Sequence, residues 1–236
     1  MVLLATCIAA QAQQIDFGEY QSMLQEGRVW VNHLDVANND FPEESYSVTY
    51  SYELHGDSVL DDFSYKKCYL KSSKHLHPGI DVDYASLSLF RNDPVALLRE
   101  DGMKVYVKFC DFPFQFASLE YNYESDEEYL AYDIGFAREH SPIGYTITQE
   151  NVNGVPCNRY NRTASESYDY IHFDCDILEG VGSCSGYGTL LFPLWITIAG
   201  YVYDHSGLSY VMDDKGNIIY KSQGYREPLS GIFEIS

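Results

Sequence analysis

Two short stretches hold residue types whose spacing can do chemistry. Gly182-Ser183-Cys184-Ser185-Gly186 has the glycine spacing of a nucleophile elbow, with cysteine in the serine position. Such an elbow needs a strand before the nucleophile and a helix after it, which lifts the sulfur out and supplies an oxyanion site. Residues 189–199 instead read as strand with Pro193 inside it, and no His/Asp pair follows convincingly, although His205 and Asp213 lie downstream. The stretch is expected to be a Gly/Ser loop between strands. In the second stretch, His75-Leu76-His77 puts two imidazoles on one strand face, with Asp81 and Asp83 close behind. Two histidines and a carboxylate can hold zinc or another transition ion. Lys71, Lys74, Pro78 and Gly79 around them read as exposed loop, so solvated surface is the expectation.

Acid clusters and aromatics complete the candidates. Glu124-Ser125-Asp126-Glu127-Glu128 and the pair Asp174 and Asp176 offer oxygens to calcium, which takes six to eight of them. Neither has the alternating Asp/Asn ladder with a central glycine of an EF-hand, and a run of acids is ordinarily a solvated loop. The aromatic-rich residues 112–123, from Phe112 to Tyr123, suit stacking on sugar rings or docking of a protein surface. With 22 Tyr and 12 Phe in the chain, filling of a half-buried sheet is the plainer expectation. No catalytic, cofactor-binding or metal-binding residue is assigned.

The elements that must position these groups are strands. Tyr46, Val48, Tyr50, Tyr52 and Leu54 alternate with Ser45, Ser47, Thr49, Ser51 and Glu53, the pattern of a strand with one solvated side. Met103, Val105, Val107 and Phe109 alternate with Lys104, Tyr106 and Lys108. Similar runs span residues 64–71, 84–90, 129–134, 145–149 and 168–173, and residues 190–199 read as a central strand apolar on both faces. Turn signals separate them: His55-Gly56-Asp57, Asn153-Gly154, and Asp213 to Asn217 with Gly216 as the left-handed residue. Residues 59–69 and 152–160 both read as strand, tight turn and strand. Only residues 17–25 look helical, through Tyr20, Met23 and Leu24, with Gly27 as the stop. The chain is expected to be mostly β, with antiparallel hairpin-rich sheets, sandwich-like or as two packed β units, and one short N-terminal helix.

Charge and the N-terminus narrow the setting. Fifteen Lys and Arg stand against 35 Asp and Glu, a net charge of −20, which argues against nucleic acid and anionic membrane surfaces, both of which need a basic face. The longest apolar run, residues 190–199, is half a membrane span. Residues 1–12 read as a signal peptide with an N-terminally truncated start, cut after Ala12 in the small-x-small pattern Ala10-Gln11-Ala12. A buried N-terminal strand is the alternative for this segment. Residues 13–236 then form a single β-rich domain. Its cysteines, Cys68, Cys110, Cys157, Cys175 and Cys184, allow two disulfides and a leftover thiol, or serve as small buried hydrophobes.

Several phrases in order carry a family resemblance. They are Glu26-Gly27-Arg28-Val29-Trp30, Tyr52-Glu53-Leu54-His55-Gly56-Asp57-Ser58-Val59, Tyr65-Lys66-Lys67-Cys68-Tyr69 and Leu97-Leu98-Arg99-Glu100-Asp101-Gly102-Met103-Lys104-Val105-Tyr106. Tyr129-Leu130-Ala131-Tyr132-Asp133, Leu178-Glu179-Gly180-Val181-Gly182-Ser183 and Gly216-Asn217-Ile218-Ile219-Tyr220 follow. Together they resemble uncharacterised secreted β-rich proteins of Bacteroidetes, some of which carry a C-terminal type IX sorting domain that is not recognisable here. The resemblance implies export into a Gram-negative envelope and no particular activity. It also makes Ser58, in Asp57-Ser58-Val59, a candidate for O-glycosylation, where the plain reading is a turn residue. The expected function is non-enzymatic binding of a glycan or protein partner outside the cell. The alternative is a secreted hydrolase acting on glycans or peptides through two carboxylates.

Overall fold

The computed structural model describes residues 17–38, 46–76, 93–110, 127–141, 144–162, 176–184 and 201–222. These residues are mostly β, in two antiparallel sheets with a sandwich-like arrangement. The larger sheet has eight strands: β1 (Val29–Asn38), β2 (Tyr46–Leu60), β3 (Phe63–Leu76), β4 (Ala96–Asp101), β5 (Lys104–Phe109), β6 (Glu128–Asp133), β11 (Tyr201–Met212) and β12 (Ile218–Lys221). Its order is β12-β11-β1-β2-β3-β4-β5-β6. The smaller sheet, ordered β10-β9-β8-β7, contains β7 (Tyr145–Val152), β8 (Val155–Arg162), β9 (Ile177–Leu178) and β10 (Gly182–Ser183). Near neighbours in sequence pair in space, so most connections are hairpins.

Alternation places the core. Val105, Val107 and Phe109 are buried on β5, while Lys104 is exposed between β-turn and strand. On the same side lie Leu54, Cys68, Leu70, Ala96 and Leu98, joined in one core cluster with Tyr160, Leu178 and Val181 of the smaller sheet. Trp30 is fully buried and donates from its indole Nε1 to Val181 O at 2.6 Å, tying β1 to the β9–β10 turn. A second tie, between backbone groups, runs from Asn153 N to Ile219 O at 2.8 Å and joins the β7–β8 turn to β12. The expected solvated side of β2 is buried at Ser51, along a row that crosses β1 to β11. Ser51 lies opposite Val31, and Val31 opposite Tyr210, and all three are buried.

Turn chemistry sets the hairpins. Asn153 and Gly154 both have positive φ, at 53° and 83°, as a two-residue turn between right-twisted strands requires. Asp61 and Asp62 make the same kind of turn at 50° and 68°, so residues 59–69 and 152–160 are indeed equivalent hairpins, one in each sheet. In the β11–β12 turn, Asp213 Oδ1 accepts from Lys215 N and Asn217 N, and Gly216 takes the left-handed position.

Two expectations need correction. His55-Gly56-Asp57 is no chain reversal: β2 runs through it with a bulge between Leu54 and Asp57. Gly56, at φ 75°, absorbs the extra residue, and Glu26 Oε1 accepts its N–H at 2.8 Å. Residues 17–25 are not helical either. The N–H groups of Met23 and Leu24 point at the Glu100 carboxylate, 3.0 and 3.4 Å away, and so are lost to any helical ladder. A nine-residue helix with a positive-φ glycine at Gly18 has too little of its own stability to compete. The segment is an irregular strap with bends at Glu19 and Met23. The helix found among the described residues, α1 (Ile134–Glu139), starts where Asp133 caps Phe136 N at 2.8 Å and buries Ile134 and Ala137.

Candidate functional site

The arginines of this acidic chain organise its polar sites. Arg159 on β8 is nearly buried and bridges two carboxylates, with Nη1 on Glu150 Oε1 at 2.6 Å and Nη2 on Asp176 Oδ2 at 2.7 Å. Glu150 stands on β7 opposite Cys157, so it shares a sheet face with Arg159. Its other oxygen accepts from Tyr220 OH of β12 at 3.0 Å. Burial first, then the neighbouring Cys184 and Glu150, push the Tyr220 phenol above its ordinary range. An open depression of about 410 Å³ lies beside this group, lined by Glu150, Asn151 and residues 218–221. It sits where the edge strands β7 and β12 come together at the Asn153–Ile219 bond, and Ile218 is exposed there.

A second cluster is closed. Glu179, 1% exposed, accepts from Arg138 Nη2 at 2.7 Å, from Asn158 Nδ2 at 3.4 Å and from the Tyr160 hydroxyl. Burial and then the Glu179 carboxylate raise the Tyr160 phenol well above its usual range. The strap forms the outer wall. Phe17 lays its ring 5.2 Å from the Arg138 guanidinium, and its carbonyl accepts from Asn158 Nδ2 at 2.6 Å.

A third cluster lies on β3 to β6. Arg99 makes a two-pronged bond to Glu128 at 2.9 and 2.6 Å and is sandwiched between the rings of Phe63 (4.4 Å) and Tyr106 (4.2 Å). Tyr65 OH adds a bond to Glu128 at 2.7 Å. Burial raises the Glu128 carboxyl, but its Arg99 and Tyr65 hydrogen bonds outweigh that and leave it below the usual range.

The residues singled out in the sequence fare differently. Gly182 and Ser183 form β10, and Cys184 follows with its N–H and its thiol both on Asp176 O. That contact puts Cys184 in a strand-like pairing; Ser185 and Gly186 lie outside the described residues. No disulfide joins any two of Cys68, Cys110, Cys157 and Cys184, and Cys175 lies outside the described residues. His75 falls near the end of β3 opposite Val48, while His77, Asp81 and Asp83 are outside. Glu128 belongs to the Arg99 clamp and Asp176 to Arg159, so each is bound to a cation; Glu124 to Asp126 and Asp174 lie outside. Residues 1–12 and 112–123 and the expected strands at 84–90, 168–173 and 190–199 also lie outside. Ser58 is half-buried on β2 opposite Tyr65, three residues before the Asp61-Asp62 turn. Among the described residues, no group of three His, Cys, Asp or Glu is placed to hold a metal ion, and no helix is long and apolar enough to cross a membrane.

Glu100, Arg138, Arg159 and Glu179 escaped the sequence reading because their partners are remote along the chain. The available signal was scarcity: where cations are this few, a buried arginine must have an anion or several carbonyls beside it. His33 Nδ1 also lies 2.8 Å from Ser209 Oγ. Ser209 is buried at the bulge between β1 and β11, so this pair fastens two strands rather than facing a substrate. Compared with protein-family models, curated proteins and solved structures, the chain matches none of them.

Proposed function

We propose that this protein acts outside the cytoplasm, in or on the envelope of a Gram-negative bacterium, as a non-enzymatic binding protein for a glycan or protein partner. The observation that carries the reading is how the acids are used. Glu100, Glu128, Glu150, Asp176 and Glu179 all hold arginines, tyrosines or main-chain N–H groups, so the polar chemistry serves to fix a rigid β scaffold. Catalysis needs groups with an unfulfilled task, and binding needs a rigid surface. The apparent signal peptide, residues 1–12, and the resemblance to secreted Bacteroidetes proteins support the location. An O-glycan on Ser58 belongs to the same reading, since Ser58 lies on β2 beyond the residues that pair with β1.

For the hydrolase alternative, carboxylates are juxtaposed among the described residues on shared cations: Glu26 and Asp57 on Lys66, Asp101 and Glu128 on Arg99, and Glu150 and Asp176 on Arg159, the last pair being the more buried. Each of these pairs is built around a cation and not around a scissile bond. The test is fractionation of the producing cell, with intact-mass measurement and partner capture from its envelope. A mature chain beginning at Gln13 in the envelope or medium, inert on polysaccharide and peptide panels, is the expected result. Retention of Met1 in the cytoplasm, or turnover of any panel substrate, overturns the reading.

A further inference from the structure

The four-stranded sheet ends in β7, whose main chain is satisfied on one side alone. The tight turn at Asn153-Gly154 sets Val152 opposite Val155, and with Val152 the main chain of Glu150, Thr148 and Thr146 turns toward β8. Pro156, which has no N–H to give, lies opposite Asn151, in a pair that exchanges no bonds. The N–H and C=O groups of Ile147, Gln149 and Asn151 therefore point away from β8. Among the described residues, no main-chain hydrogen bond reaches them from that side. The other sheet edges are guarded. Strand β10 has two residues, β12 has four and is tied to Asn153, and β6 begins and ends on an acid and is bulged against β5. Strand β7 has eight residues in unbroken register with β8 and contains no proline or lysine. Its one charged side chain, Glu150, is held by Arg159. An edge with none of these guards is a template for another strand.

We propose that the free edge of β7 is a docking site, and that its occupant is an extended, cationic segment of a partner protein that adds to the small sheet as a fifth strand. Main-chain donors and acceptors at strand spacing are matched by another strand and not by a sugar ring. Ile147 packs against the core, so alternate side chains of the incoming segment meet apolar surface on that face. On the other face they lie beside Thr146 and Thr148, both exposed. The depression of about 410 Å³ at Glu150 and Asn151 leaves room at the β12 end, where Ile218 is exposed. Charge selects the partner: a chain at −20 repels a second copy of itself and draws in a basic segment. This rests on the binding reading and narrows its partner from a glycan or protein to a protein strand.

The test uses the full mature chain and, as probe, a short fluorescein-labelled peptide that alternates valine with lysine or threonine. In the chain alone, residue-resolved hydrogen exchange should show the amides of Ile147, Gln149 and Asn151 exchanging fast between slow neighbours at Thr148 and Glu150. The peptide should slow all three, and its affinity, read by anisotropy, should fall as salt rises. Gln149→Pro deletes an outward N–H and leaves the β7–β8 ladder whole, and it is expected to weaken binding roughly tenfold or more. Gln149→Lys puts a charge on the edge without altering the main chain, so it should weaken binding too and serves where the proline variant fails to fold. Slow exchange at Gln149 in the chain alone, no protection by the peptide up to its solubility limit, or unchanged affinity in a folded variant overturns the proposal. So does protection that grows with chain concentration alone and accompanies a dimer in sedimentation, which would make the occupant a second copy. Peptide binding by a chain that proves cytoplasmic would retain the edge site and remove the envelope reading; an envelope partner that holds Gln149→Pro as tightly as the unmodified chain would do the reverse.

Discussion

Replacing Arg138 with methionine tests whether the closed cluster is an electrostatic unit or a set of independent contacts. Arg138 gives Glu179 two N–H bonds, and Glu179 is 1% exposed, so its removal leaves a carboxylate in the core with only Tyr160 and Asn158. Breaking a buried pair from one side costs about 3–5 kcal/mol. The lost contact with the Phe17 ring adds about 0.5–1 kcal/mol. Against a net stability of about 5–15 kcal/mol, that is a large fraction. Removing both charges, as Arg138→Met/Glu179→Gln, should cost far less, because glutamine still accepts from Tyr160 and Asn158 and no bare charge remains. The expected coupling between the two sites is about 2–3 kcal/mol. Urea unfolding of the four proteins of the cycle, followed by tryptophan fluorescence and compared at constant m, measures it. Additive costs, or a penalty below about 1 kcal/mol for Arg138→Met alone, would refute the reasoning, since Glu179 would then have water or another donor within reach.

Three more outcomes follow from local geometry. Asp61→Asn/Asp62→Gly should raise stability by about 1 kcal/mol, because both positions have positive φ and Asn-Gly is the preferred pair for such a turn; a lower urea midpoint refutes it. Gly27→Ala should destabilise by more than 1 kcal/mol, on the order of a strained residue plus a clash, since its Cβ would come 2.6 Å from Asp214 Cβ at φ 70°. The Glu128 carboxyl is held below its usual value of 4.5, so its contribution is complete above that pH and is lost as pH falls through the lower folded value. An acid titration of unmodified chain and Arg99→Met should therefore converge below pH 4.5, and parallel curves throughout would contradict it.

Sequence patterns carried the strands and hairpins because both depend on neighbours along the chain. Val105, Val107 and Phe109 face the core as period two requires, and Asn153-Gly154 turns as its residue types demand. The failures came where a distant group decided the local conformation. Gly56 carries turn chemistry, yet Glu26 and the β3 partner make it a bulge inside a long strand. Tyr20, Met23 and Leu24 have helical spacing, yet Glu100 takes their polar groups and the core takes Met23. The small helix α1 has a capping Asp133 but no acidic first turn and only six residues, too little signal beside the strand before it.

The candidate sites were less legible for the same reason, and the way they are assembled explains it. Arg138 and Glu179 are 41 residues apart, Ser22 and Glu100 are 78 apart, and Glu150 and Tyr220 are 70 apart. No local spacing encodes such pairs. Composition does encode that they must exist. A guanidinium taken from water requires an anion or several carbonyls, and this chain places Arg28, Arg99, Arg138 and Arg159 where little water reaches them. The strand arginines select their partners through the sheet register, as Arg159 does with Glu150 on β7 and with Asp176 just before β9. Glu100 inverts the arrangement: a carboxylate without arginine, filled by hydroxyls and main-chain N–H groups of the strap. Glu100 therefore sets the path of residues 20–24 over the sheet, and no local spacing in either segment encodes that contact.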